Sequence, residues 1–172
     1  MRSLSYPGYL LLFLLLAGAC GRIEQLSPVP RIEFKSFAVF DTVDLLGNDA
    51  KGGRLKFYFE DGDGNIGLNE PTEEESDTNN LFMTLYRKTN GTMNPAPYND
   101  PLEPSDYRIP YMERLGQNKI LKGEIAVTLL YLFYSENDTI RYDFYIKDRS
   151  GNSSNTASTC EIVLTDNGIC GE

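Results

Sequence analysis

The sequence predicts an all-β protein, a single antiparallel β-sandwich of about seven strands. Three observations lead there. From residue 31 onward, apolar residues recur with a period of two rather than 3.6. The large side chains are 11 tyrosines and 9 phenylalanines, with no tryptophan, a supply that suits pleated strands. Clusters of glycine, asparagine, aspartate, serine and proline separate the apolar runs.

Each run reads as a strand in turn. RIEFKSFAVF at 31–40 opens the series. GRLKFYFE at 53–60 alternates Leu55, Phe57 and Phe59 against Arg54, Lys56 and Tyr58. LFMTLYRK at 81–88 places Leu81, Met83 and Leu85 on one face. YRIPYM at 107–112 contains Pro110, which donates no ladder hydrogen bond, so it is expected at an edge. GEIAVTLL at 123–130 gathers Ile125, Val127 and Leu129. TIRYDFYIKD at 139–148 is the clearest strand, with Ile140, Tyr142, Phe144 and Ile146 opposite Arg141, Asp143, Tyr145 and Lys147. TCEIVLT at 159–165 closes the set. The connections 61–80 and 89–106 exceed ordinary loop length and are expected to carry function or motion.

A chain of 172 residues implies one domain, large enough to bury a core unaided. Its formal net charge of −9 argues against nucleic acid, because phosphate binding needs a basic surface. Histidine is absent. Imidazole-based nucleophile systems and imidazole zinc sites are therefore excluded.

The first residues read as an export address. Arg2 precedes the apolar run YLLLFLLLA at 9–17, which is too short to span a bilayer. Ala17-Gly18-Ala19 fits ordinary cleavage after Ala19. Leu16-Ala17-Gly18-Ala19-Cys20 also resembles a bacterial lipobox, with Cys20 receiving acyl chains such as palmitate. Three cysteines are present, Cys20, Cys160 and Cys170. Lipidation of Cys20 leaves an even pair, as an oxidising compartment favours. We therefore expect residues 1–19 to be a signal peptide, 20–30 a lipidated cysteine and tether, and 31–172 the sandwich. The expected address is the cell envelope, on the outer membrane. Pro28 and Pro30 favour extended backbone, and residues 21–30 reach at most about 35 Å.

The most chemical stretch is EDGDGNIGLNEPTEEES at 60–76. Asp61, Asp63 and Asn65 alternate as the first ligands of a calcium loop do. An EF-hand is excluded, since Ile66 stands where its glycine belongs and Thr72 where its glutamate belongs. A looser calcium site is expected from Asp61, Asp63 and Asn65, with Asp148 from the similar KDRSGN turn. No lysine or arginine lies between Lys56 and Arg87, so a divalent ion would relieve local repulsion. The competing reading is a tight turn, with Gly62, Gly64 and Gly67 supplying positive φ and the acidic residues capping it.

The order of these segments carries a resemblance: a lipobox, then LKFYFEDGDGNIGL, then DTIRYDFYIKDRSGNSSNT and EIVLT. It is similar to small lipoproteins of Bacteroidota-type bacteria that carry a DGDGDIG-like motif in an Ig-like domain. Asn65 stands where that motif commonly has aspartate. The resemblance covers nearly the whole chain and implies an Ig-like fold and an envelope address, without an activity.

Further expectations complete the reading. Cys160 and Cys170 should pair, with Asn167-Gly168 turning the tail back. Tyr107, Tyr111, Tyr131 and Tyr134 are candidates for a glycan-binding aromatic face, Tyr107 and Tyr111 foremost. Asp41-Thr42-Val43 and Asp138-Thr139-Ile140 match an Asp-Thr-aliphatic O-glycosylation pattern at Thr42 and Thr139. Asn90-Gly91-Thr92 reads as a turn. The expected function is non-catalytic: an accessory or binding module for an envelope protein partner, held to the membrane by its lipid. A glycan-binding lipoprotein is the alternative, and a carboxylate-based hydrolase comes third.

Overall fold

The computed structural model describes residues 26–71, 79–113, 119–135 and 137–171. The expected signal peptide, Cys20 and the first half of the expected tether lie outside the described residues.

Among the described residues the chain is all-β, with two antiparallel sheets and no helix. The first sheet runs β5-β2-β1-β9, from β1 (Arg31–Val43), β2 (Asp49–Asp61), β5 (Leu121–Tyr131) and β9 (Gly168–Gly171). The second runs β4-β3-β6-β7, from β3 (Leu81–Thr89), β4 (Thr92–Pro95), β6 (Thr139–Ile146) and β7 (Ala157–Ser158), with β8 (Ile162–Val163) also on β6.

The period-two pattern drives the packing. On β6, Ile140, Tyr142, Phe144 and Ile146 are all fully buried. Leu55, Phe57 and Phe59 face them from β2, and Leu81, Met83 and Leu85 complete the layer. Phe57 meets Phe144 between the sheets at 5.3 Å, and Phe37 meets Tyr142 at 6.2 Å. The outward residues pair with one another: Arg141 bonds Asp143 and lies over Tyr86, while Phe82 stacks on Tyr145.

Two expected strands are different in the structure. Residues 107–112 form only isolated bridges, Leu81 with Tyr107 and Leu68 with Pro110. The backbone of Ile109 pairs instead with a side chain, its N–H donating to Oδ1 of buried Asn80 at 2.6 Å. The run 159–165 is broken as well. β7 and β8 flank Thr159, whose N–H donates to the Tyr142 carbonyl and whose hydroxyl accepts from the Tyr142 N–H. The turn expected at Asn167-Gly168 lies earlier, at residues 164–166, where the Asp166 N–H donates to the Val163 carbonyl; the chain crosses there, and Gly168 already opens β9 on the first sheet. Cys160 and Cys170 lie at disulfide distance across that crossing, their Cα atoms 6.3 Å apart.

Register fixes two poles. Arg31 pairs with Glu60 at one end of the β1–β2 ladder and Val43 with Asp49 at the other. At about 3.3 Å per residue the poles are roughly 40 Å apart. Residues 26–30 of the expected tether, the turn after β2 and the turn after β6 share the near pole. The β1–β2 turn and the β5–β6 loop share the far pole, because Lys51 pairs with Tyr131.

Candidate metal centre

Asp61 is the last residue of β2, paired with Leu121 on β5. Beyond it the chain turns sharply, with Gly64 at φ 64° and Gly67 at φ 90°. Asp61 Oδ2 accepts the N–H of Asn65 at 2.7 Å and of Ile66 at 3.2 Å, closing the turn on the carboxylate. Ile66 is fully buried and plugs the turn into the core. Gly62 does not take the positive φ expected of it. Its role is closeness: the carbonyls of Leu26 and Ser27 occupy the place a Cβ would fill, and its N–H donates to the Ser27 carbonyl at 2.9 Å.

Asp148 follows β6 in a second tight turn. Its Oδ1 accepts the Asn152 N–H and its Oδ2 the Asn152 side-chain amide, each at 2.8 Å. This turn lies over the first. The Asn65 amide donates to Asp63 Oδ2 and to the Ser150 hydroxyl, both at 2.9 Å. The Arg149 N–H donates to the Asn65 carbonyl, and its guanidinium donates to the Gly67 carbonyl at 2.7 Å. The same guanidinium lies over the Tyr111 ring at 4.9 Å.

The structure therefore brings together all four residues expected from sequence. One carboxylate oxygen from each of Asp61, Asp63 and Asp148 lies within 4.8 Å of the others. Asp61 is 1% exposed and Asp148 4%. Asp61 Oδ1 and Asn65 Oδ1 are buried with no hydrogen-bond partner. Burial pushes the Asp61 carboxyl above its ordinary value, and the adjacent Asp63 adds to this against the two backbone N–H donors. Chemically this is an all-oxygen set, which suits a hard cation.

The other sequence candidates separate. Tyr131 is in the core, its hydroxyl 3.1 Å from that of Tyr142. Tyr134 is on the far-pole loop, whereas Tyr107 and Tyr111 are at the near pole. Tyr107, Pro110 and Met112 line a groove of about 440 Å³ with Ile125 and Val127 of β5. Thr42 and Thr139 are both half-buried within strands, paired with Ala50 and Val163. Asn90 and Gly91 form the expected turn, at φ 52° and 79°.

Sequence reasoning missed one polar cluster. Arg87 on β3 grips Asp100 with two bonds and Asp138 with a third. Its members are up to 51 residues apart, and no local pattern marks them. Comparison with protein-family models, with curated proteins and with solved structures finds no match to this chain.

Proposed function

We propose that this chain is a lipid-anchored, non-catalytic module of the cell envelope that presents its far pole to an envelope protein partner. In this reading Cys20 carries the lipid, residues 20–30 are the tether, and the sandwich is of the Ig-like kind found in the outer-membrane lipoproteins it resembles. One observation carries the reading. The far pole, opposite the tether, exposes Leu45 (102%), Leu46 (87%) and Phe133 (71%), with Val43, Leu132 and Tyr134 also in solvent. Exposed apolar groups gathered at one place mark interaction surfaces. Arg87 supports the loop beside them, since Asp138 also accepts the Ser135 N–H.

The test is site-specific photo-crosslinking in the envelope. A crosslinker at Leu45 or Phe133 should capture a discrete protein, and one at exposed Lys56 on the outer face of β2 should not. Equal capture at all three positions, or none, defeats the reading. Lipidation is checked separately, by incorporation of a palmitate analogue that Cys20→Ala abolishes.

The near-pole groove favours a second reading, a glycan surface. Tyr111 is half-exposed beside it and Tyr107 lines it. Glycan-array binding lost in Tyr111→Ala would support this alternative over the first.

A further inference from the structure

We propose that Asp61, Asp63, Asn65 and Asp148 form a calcium site, and that the ion locks the tether onto the sandwich. This inference is independent of the docking proposed at the far pole.

The arrangement of Asp61 points to a ligand. Its Oδ2 is consumed by two backbone N–H donors, which fixes the carboxylate's orientation. Its Oδ1 is left without a hydrogen-bond partner in a residue that is 1% exposed. A buried, unpaired acceptor is costly, and a cation removes that cost. Asn65 Oδ1 is a second such oxygen. Asp148 is held by Asn152 through one hydrogen bond to each oxygen, which leaves lone pairs for a metal. Among the described residues, neither Asp61 nor Asp148 takes a lysine or arginine partner.

The donor set selects the ion, and the spacing fits it. Calcium binds oxygen at about 2.3–2.6 Å, so oxygens on opposite sides of it stand about 4.6–5.2 Å apart. The three carboxylate oxygens fall within 4.8 Å of one another. Magnesium dehydrates reluctantly and is usually held by only one or two carboxylates, so a set of three carboxylates and an amide oxygen favours calcium. Four side-chain oxygens leave the remaining calcium positions to water.

The same turn seats the tether. The Gly62 N–H donates to the Ser27 carbonyl, and the Leu26 carbonyl also packs against Gly62. A cation holding Asp61 and Asp63 fixes Gly62 between them, and thereby the direction in which the tether leaves the sandwich.

The experiment uses the full-length protein in detergent micelles, with calcium, with magnesium and with excess chelator. Calorimetric titration should show one calcium per chain. At a free concentration about 100 times Kd, the melting temperature should rise by roughly 5–10 °C. Hydrogen exchange at the Gly62, Asn65 and Ile66 amides should slow at least about tenfold in calcium, consistent with a site that is closed only when loaded. The near-isosteric variants Asp63→Asn and Asp148→Asn should each weaken these effects. Wild-type protein that neither binds nor melts higher at millimolar calcium overturns the site. An equal response to magnesium overturns the calcium assignment. A melting shift without slower exchange at Gly62 overturns the lock.

Discussion

Replacing Arg87 with methionine should destabilise the far pole and reverse part of the protein's pH response. The guanidinium gives two bonds to Asp100, at 2.5 and 2.9 Å, and one to Asp138 at 2.5 Å. Bonds to charged groups contribute about 1.5–3 kcal/mol each, and a buried pair broken on one side costs about 3–5 kcal/mol. The Asp100 side chain is 4% exposed but Arg87 is 25% exposed, so water recovers part of the loss. The net expectation is about 3 kcal/mol. With a urea m-value near 2 kcal/mol/M, the midpoint should fall by roughly 1.5 M. Burial alone would raise the Asp100 carboxyl. The Arg87 guanidinium and the Leu102 N–H outweigh it and hold the carboxyl below 3.8. In the wild type the stability from Asp100 is therefore complete above that value and is lost as pH falls through the lower folded-state pKa. In Arg87→Met only burial and one N–H remain, so the carboxyl titrates higher and protonation relieves the site. The variant's deficit should shrink as pH falls from 7 towards 4, and Arg87→Met/Asp100→Asn should regain at least about 1 kcal/mol. A loss under about 0.5 kcal/mol in the single variant, or a deficit independent of pH, would refute a buried clamp.

Three further outcomes are expected from thermal and urea melts. Gly67→Ala should cost at least about 2 kcal/mol, because φ is 90° and the Pro110 carbonyl occupies the space of the added carbon; a neutral effect would mean that the turn opens freely. Tyr142→Phe should cost about 1–3 kcal/mol, since the Tyr142 hydroxyl donates to the Leu102 carbonyl and meets that of Tyr131. Burial pushes both phenols far above their ordinary value, so tyrosine ionisation below pH 11 should not include them. Cys170→Ser and chemical reduction should each cost about 3 kcal/mol by the chain-entropy estimate, and reduction should leave the serine variant unchanged.

The long strands were legible because burial alternates along them. β6 is the plainest case, with its four predicted inward residues all fully buried. The run 107–112 was misread because it alternates like a strand while its backbone is satisfied by the Asn80 side chain and two single bridges. Side-chain amides that replace ladder bonds leave no periodic trace. Asn155 does the same for Ile32, taking both its N–H and its carbonyl from 123 positions away. The Arg87 cluster was invisible for a related reason: a charged residue in a strand reads as outward-facing until tertiary contact supplies its partners. Gly62 was expected to supply positive φ and does not; what requires glycine there is the close approach of the Leu26 and Ser27 carbonyls.

The candidate metal residues were legible for a topological reason. β1 and β2 form one long antiparallel ladder from Arg31–Glu60 to Val43–Asp49. Any such hairpin returns the residue after β2 to the point where β1 began. The DGDGNIG turn must therefore lie beside the tether, whatever the second sheet does. β3 and β6 impose the same logic, since Leu81 pairs with Ile146 and the KDRSGN turn leaves β6 at the level where β3 starts. Two acidic turns that follow inward-facing strands at one pole of a two-layer sandwich have little choice but to meet. The carboxylates then converge because Ile66 and Ile146, both fully buried, draw their neighbours down onto the core. Asp61, the last residue of β2, keeps the inward phase of Leu55, Phe57 and Phe59 and is buried with them. The desolvation that leaves its Oδ1 without a partner is thus a product of the hydrophobic pattern, and it is this cost that the proposed cation would remove.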